Sequence, residues 1–318
     1  MILGGNMTVK ATPISNKNLL GKILYFKYYY LMLLPIVIWY LIFAYAPIYG
    51  ITLAFKNFDF RGGILGSPWV GLEHFRQILN DSEFLSALKN NIIISLGKLL
   101  FHFPTPVILA VMLYEITLNR AKRFFQTVLT FPHFISWVVL SGILINILGQ
   151  DGVVNKLVTL TGSEAVSFLT NSGTFRPVLY ISHIWKEIGW DSIIYIAALA
   201  GINPELYESA DMDGANRWQR IIHITWPGIR PTVAILLILT VGQMLNYGNT
   251  FDQVFNLYSA PVYGVGEIID TYVYRSAFIT GANLGYVTAV GFFKSVVNLV
   301  MIFLANTAVK KLGEQGLF

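Results

Sequence analysis

Residues 202–231 read INPELYESADMDGANRWQRIIHITWPGIRP. Asn203 is a good helix N-cap and Pro204 suits the first helical position. Glu205 and Glu208 fall in the first turns, where the helix dipole favours acids. The spacing predicts a short helix that stops at Gly214, a residue at ease in the left-handed conformation that ends helices. Asn216 can cap a second helix, in which Trp218, Ile221, Ile222 and Trp226 recur at helical spacing. Pro227 and Pro231 are expected to break the chain before the next apolar run. The segment therefore reads as helix, glycine turn, amphipathic helix. It can lie on a membrane surface, but the first helix is short and acidic, with little apolar surface for lipid. A rigid polar knob is better suited to touching another protein.

The rest of the chain shows where such a knob sits. Of 318 residues, 55% are hydrophobic and 12% charged, with a mean hydropathy of +0.59. So little charge cannot cover so much apolar surface in a soluble globule, and disorder requires the opposite bias. The absence of cysteine excludes disulfides and thiol chemistry. A net charge of +5 is too small to imply nucleic acid. A polytopic membrane protein remains.

Six stretches are long and apolar enough to cross hydrocarbon: 31–55, 92–114, 124–148, 178–201, 232–248 and 283–308. Twelve Lys and Arg lie on one set of connections: Lys10, Lys17, Lys22, Lys27, Arg120, Lys122, Arg123, Arg217, Arg220, Arg230, Lys310 and Lys311. The other, longer set holds seven: Lys56, Arg61, Arg76, Lys89, Lys156, Arg176 and Arg275. The positive-inside rule makes the first set cytoplasmic. The expected fold is an all-α membrane protein of six transmembrane helices with both termini cytoplasmic. It divides into a basic segment at 1–30, a membrane domain at 31–308 and a tail at 309–318. Aromatic residues near the span ends, Tyr28 to Tyr30 and Trp137 among them, suit an interfacial belt.

Residues Glu208-Ser209-Ala210-Asp211-Met212-Asp213-Gly214, followed by Ile224 and Pro227, resemble the EAA loop of importer-type ABC transporter permeases. That pattern is Glu-Ala-Ala, three residues, Gly, nine residues, Ile, one residue, Leu-Pro. Ser209 and Trp226 depart from it mildly. Segments 45–58, 68–75, 124–140 and 203–218 resemble the carbohydrate-uptake branch, and within it the permeases for polysaccharide-derived oligosaccharides. The resemblance implies that 203–227 is a cytoplasmic coupling loop between spans four and five, docked in a groove on an ATPase subunit. Glu205, Tyr207, Glu208, Ala210, Asp213, Gly214, Ile224 and Pro227 would carry that contact. Glu208 and Asp213 would meet polar or basic groups, and Gly214 would permit close approach. It further implies a second, homologous permease subunit, an ATPase dimer that binds ATP and Mg, an extracytoplasmic solute-binding protein, and the bacterial cytoplasmic membrane.

The chain itself has no G-x-x-x-x-G-K-[ST] run, no H-E-x-x-H and no G-x-S-x-G. No catalytic site, cofactor or metal is therefore expected on it. The five histidines are scattered in sequence. Charges inside spans are costly and face a protein interior or a wet cavity. Lys98, Lys186, Glu187, Asp191 and Lys294 are such charges. His183, Lys186, Glu187, Trp190 and Asp191 form one stripe on span four, placed in its outer half. Gln243, Asn246, Tyr247 and Thr250 form another on span five. The two stripes suggest a shared cavity, with Trp185 and Trp190 as stacking platforms for a sugar. The alternatives are mutual neutralisation, awkward for the neighbours Lys186 and Glu187, and snorkelling of the lysines. Three intramembrane lysines against two acids suit an acidic, uronate-containing oligosaccharide such as an alginate or pectin fragment. A secondary transporter would need internal symmetry, and a membrane enzyme a nucleophile beside Glu187 or Asp191; neither is visible.

Overall fold

The computed structural model describes residues 19–314, 316 and 317. Lys10 and Lys17 of the expected basic segment lie outside the described residues. The chain divides into two compact units, 1–52 and 53–318. In the first, helix α1 (Leu19–Tyr25) precedes α2 (Lys27–Tyr40), and a π turn Leu41–Tyr45 continues the apolar run.

The second unit is a bundle. Helix α3 (Ser82–Phe101) leads into α4 (Pro104–Tyr114), and α5 (Asn119–Thr130) into α6 (Trp137–Leu148). The long α7 (Ser172–Ala200) is followed by the short α8 (Pro204–Met212) and α9 (Arg217–Arg220). Then come α10 (Trp226–Gly242), α11 (Thr250–Leu257), α12 (Ile269–Phe278) and α13 (Leu284–Lys311). The model is helical throughout its described residues apart from loops and one isolated bridge between Lys56 and Trp69.

Among the described residues, five helical stretches are long and apolar enough to cross a membrane: Lys27–Phe55, Ser82–Tyr114, Trp137–Leu160, Arg217–Gly242 and Leu284–Lys311. The 29-residue α7 is long enough, about 43 Å at 1.5 Å per residue. It falls short in apolarity because it carries Arg176, Lys186, Glu187 and Asp191. It also starts at Ser172, six residues before the expected span, so the polar stripe sits at its middle rather than in its outer half.

Two helix boundaries differ from expectation. The run 124–148 is not one span: a 3-10 turn, Phe131–Phe134, interrupts it at Pro132. Conversely, Pro227 and Pro231 do not break the chain, which stays helical from Arg217 to Gly242. A π turn, Ile221–Thr225, directly precedes Trp226 and Pro227, and such a widened turn takes in a proline while the helix continues. The real break comes at Gln243–Asn249, where Tyr247 is extended and Gly248 is left-handed with φ 61°.

Packing forms apolar clusters along the bundle. Ile94 of α3 meets Phe175 and Leu179 of α7 and Val254 of α11 in one. Val107 and Ala110 of α4 meet Tyr195 and Leu199 of α7 and Ile229 of α10 in another. On both α3–α4 and α7 the polar residues Lys98, His102, His183, Lys186 and Asp191 fall between these clusters in sequence. The stripe is thus a polar layer between two apolar ones.

Close approach holds α7 to the break before α6. Gly189 lies directly against the carbonyl of Leu129 and the amide of Thr130, so an added Cβ would collide with backbone. Membrane helices associate through such small-residue contacts. We expect Gly189→Val to destabilise the folded chain by about 1–3 kcal/mol through overpacking, with Gly189→Ala intermediate. Thermal unfolding of the detergent-solubilised complex measures this; an unchanged midpoint for the valine variant would refute the close contact.

Candidate functional site

The knob is built as its sequence dictates. Asn203 accepts a hydrogen bond from the Glu205 amide at 3.1 Å, and Pro204 opens α8. The helix ends at Met212, and Gly214 turns the chain at φ 73°. Asn216 accepts from the Gln219 amide at 3.0 Å while Gln219 accepts from the Asn216 amide at 2.8 Å, a complete capping box. Arg220 bridges the two helices to Asp211 at 2.6 Å. Tyr207 is tied to Thr225, 3.0 Å between the hydroxyls, and burial pushes its pKa up.

Every residue of α8 is exposed or half-buried: Glu205, Glu208, Asp213, Gly214 and Pro227 face out, while Tyr207, Ala210 and Ile224 are partly covered. The apolar face of the second helix is also open, with Trp218 72% exposed. A groove of about 310 Å³ runs between the helices, lined by Ala210, Asp213, Gly214, Gln219, His223 and Ile224. The result is a polar, well-capped knob with uncovered apolar side chains, joined to α10 without a break in the helix.

Inside the bundle, the charges of the stripe go to different tasks. Lys186 donates to the carbonyl of His133 at 2.5 Å and pairs with Glu187 at 3.1 Å. Glu187 also meets His133 Nδ1 at 2.5 Å. The neighbours do pair, contrary to the helical-wheel expectation, because both long side chains converge on His133, Lys186 at its carbonyl and Glu187 at its ring. Lys98 is fully buried and donates to Thr250 at 2.9 Å, and Thr250 in turn donates to the carbonyl of Tyr247. Lys294 pairs with Asp270 of α12 at 2.5 Å. The segment 249–282, expected outside, therefore reaches down to the depth of Lys294.

The shared cavity exists, with a different membership. It measures about 360 Å³ and is lined by Trp190, Asp191, Tyr195, Thr240, Tyr247 and His102, among others. Of the expected path residues, Trp190, Asp191 and Tyr247 line it. His183 is buried beside it, 4.5 Å from His102 between ring centres. Lys98, Lys186, Glu187 and Lys294 do not line it, and neither do Trp185, Gln243 and Asn246, which are exposed elsewhere. His102 and Tyr195 escaped the sequence reading, although each continues a stripe by one turn, four residues after Lys98 and Asp191. Three histidines scattered in sequence, at 102, 133 and 183, gather around this layer.

The cavity's polar groups are wired. Tyr247 OH lies 2.8 Å from His102 Nδ1, and His102 Nε2 lies 3.4 Å from Asp191. A tyrosine hydroxyl donating to Nδ1 leaves the proton on Nε2, which is buried near the carboxylate but makes no hydrogen bond to it. Trp190 is fixed by stacking on the His133 ring, 4.2 Å away and 2° from parallel.

A third polar cluster caps the start of α3. Asp81 accepts from Tyr272 at 2.5 Å, from Tyr286 at 2.8 Å and from the amides of Glu83 and Phe84. Arg275 bridges Glu83 and Glu267, both at 2.8 Å.

The fold and site together define a membrane permease: a helical bundle interrupted around a cavity and continued by a polar helical knob. The family model described as the binding-protein-dependent transport system inner membrane component matches residues 102–313. The chain belongs to that family, as a multi-pass inner-membrane protein and a non-catalytic subunit of an ABC importer. It is 42% identical to the polygalacturonan/rhamnogalacturonan transport system permease protein YteP of Bacillus subtilis, over 95% of this chain and 94% of that one. Protein LplB of the same organism is also 42% identical, over 92% of this chain and 91% of its own length. Among solved structures, it is similar to a bacterial ABC transporter that imports the acidic polysaccharide alginate, with TM-score 0.85 and 40% identity over 94% of this chain and all of that one. The same kind of transporter in complex with an alginate pentasaccharide-bound periplasmic protein gives TM-score 0.86 and 39% identity over 95% of this chain and all of that one.

Asp81 supplies a pH prediction. Burial raises its pKa, but the hydrogen bonds from Tyr272, Phe84, Tyr286 and Glu83 outweigh it and hold it below the usual 3.8. A lowered carboxyl stabilises the fold above its unfolded pKa and ceases to as pH falls through the folded one. The unfolding midpoint of wild type should exceed that of Asp81→Asn by a constant gap above about pH 5, narrowing below about pH 4. A gap independent of pH down to acid unfolding would contradict this.

Proposed function

We propose that this chain is one of two different permease subunits in an ATP-driven importer of acidic oligosaccharides. A binding protein delivers the sugar on the outer side, and ATP with Mg is bound and hydrolysed by a separate ATPase dimer. In this reading the chain crosses the membrane six times, α7 being the fourth crossing, with both termini in the cytoplasm. Residues 203–227 form the coupling element. Glu208 and Asp213 meet the ATPase surface, and Gly214 lets backbone approach it closely.

The observation that carries the reading is the knob. It is capped at both helices, uncovered on its outer faces and continuous with α10. A push on it therefore reaches the cavity wall at Thr240 without a flexible joint. The substrate class rests on the relatives, which handle polygalacturonan, rhamnogalacturonan and alginate by their names. It does not rest on the intramembrane lysines, all three of which are bound to protein partners.

The test is Gly214→Trp in the whole complex. The variant should assemble and insert, because Gly214 faces open space. Its φ disfavours any side chain, and the added bulk keeps the ATPase surface away. Substrate-stimulated ATP hydrolysis and uptake should both fall about tenfold or more, equivalent to about 1.4 kcal/mol of lost coupling. Uptake at the wild-type rate would refute the coupling role.

A further inference from the structure

We propose that the cavity beside Asp191 binds the hydroxyl-bearing face of a single pyranose ring and turns the ring's carboxylate away. This subunit thus reads the hydroxyls of an acidic sugar, and the acid groups are read elsewhere in the complex. The proposal rests on the transport reading above and refines it.

Three observations carry it. First, the cavity holds about 360 Å³, the lower end of the range for small-ligand sites and room for one sugar ring. Second, Asp191 is the lining's one carboxyl side chain among the described residues. Its side chain is 43% exposed and lies 3.4 Å from His102 Nε2 without a hydrogen bond to it, which leaves acceptor capacity open to the cavity. A carboxylate accepts and does not donate. Sugar hydroxyls donate, and such charge-assisted bonds are stronger than neutral ones. Third, Trp190 lines the same cavity with its ring held against His133, a preset flat surface for the C–H face of a pyranose.

The cations that would welcome a uronate carboxylate are spent on the fold. Lys98 serves Thr250, Lys186 serves His133 and Glu187, and Lys294 serves Asp270. A uronate group entering beside Asp191 would set two like charges together in a poorly solvated site without a counter-ion, which is strongly unfavourable. Tyr195 and Tyr247 add neutral hydroxyls suited to sugar rather than to charge.

The experiment uses the full transporter with its binding protein in proteoliposomes. The probes are oligogalacturonate and alginate pentasaccharides, each in acidic form and after reduction of the carboxyls to alcohols. The reading is the concentration giving half-maximal ATPase stimulation, as a variant-to-wild-type ratio for each probe, so that differences in delivery cancel. Asp191→Asn should raise that concentration about tenfold for the acidic and reduced forms alike. Trp190→Ala should do the same, and Trp190→Phe should restore most of the loss. A selective improvement for the acidic form in Asp191→Asn would overturn the proposal, since Asp191 would then be only a repulsive neighbour. Equal values for variant and wild type would overturn it as well. A wild-type complex stimulated by none of the probes would instead overturn the substrate class, and this inference with it.

Discussion

Hydrocarbon offers no hydrogen bonds, so any backbone group freed at membrane depth must find its partner within the protein. This constraint organises the structure. The bundle is interrupted at Phe131–Phe134 and at Gln243–Asn249, and each interruption frees carbonyls and amides. Lys186 answers the His133 carbonyl. Two asparagines serve the second break: the Asn298 side-chain oxygen accepts from the Leu245 amide at 3.2 Å, while Asn91 donates to the Leu245 carbonyl at 3.3 Å. Lys98 holds Thr250, which holds the Tyr247 carbonyl. Intramembrane charges and amides that resemble a substrate path are in large part the fastenings of broken helices.

The cavity is a product of the same arrangement. Because the second break turns Tyr247 out of helical register, its hydroxyl reaches His102 instead of running along α10. Because the first break brings His133 against α7, Trp190 acquires a fixed plane. Asp191, one residue further, is the member of the stripe left over for solvent or ligand. Two interruptions in separate helices thus yield one small site, placed between the apolar layers that hold the bundle together.

Local chemistry made the knob legible in the sequence. Asn203, Pro204, Gly214 and Asn216 each do at their position what a residue of that kind does by itself, and short-range rules suffice. The bundle interior was legible only in part. Which residues are polar and on which helix face they sit follows from spacing, and Trp190, Asp191 and Tyr247 were found that way. Which partner each charge takes does not follow. Thr250 lies 152 residues from Lys98 and His133 lies 53 residues from Lys186; such pairings are settled by tertiary packing. The prolines misled too: Pro227 acts as a breaker only if the helix must remain strictly α up to it, and it does not, while Pro231 lies inside α10 without ending it.

That departure from α geometry has a mechanical meaning. The π turn at Ile221–Thr225 stores one residue more than an α turn of the same height. It lies where α9 passes into α10. One inserted residue turns every side chain beyond it by about 100°, the angle between successive helical positions, relative to an uninterrupted α-helix, while the helix itself continues. A single extra residue thus decides which face of α10 is turned to the bundle for a given setting of the knob, inside an otherwise continuous shaft.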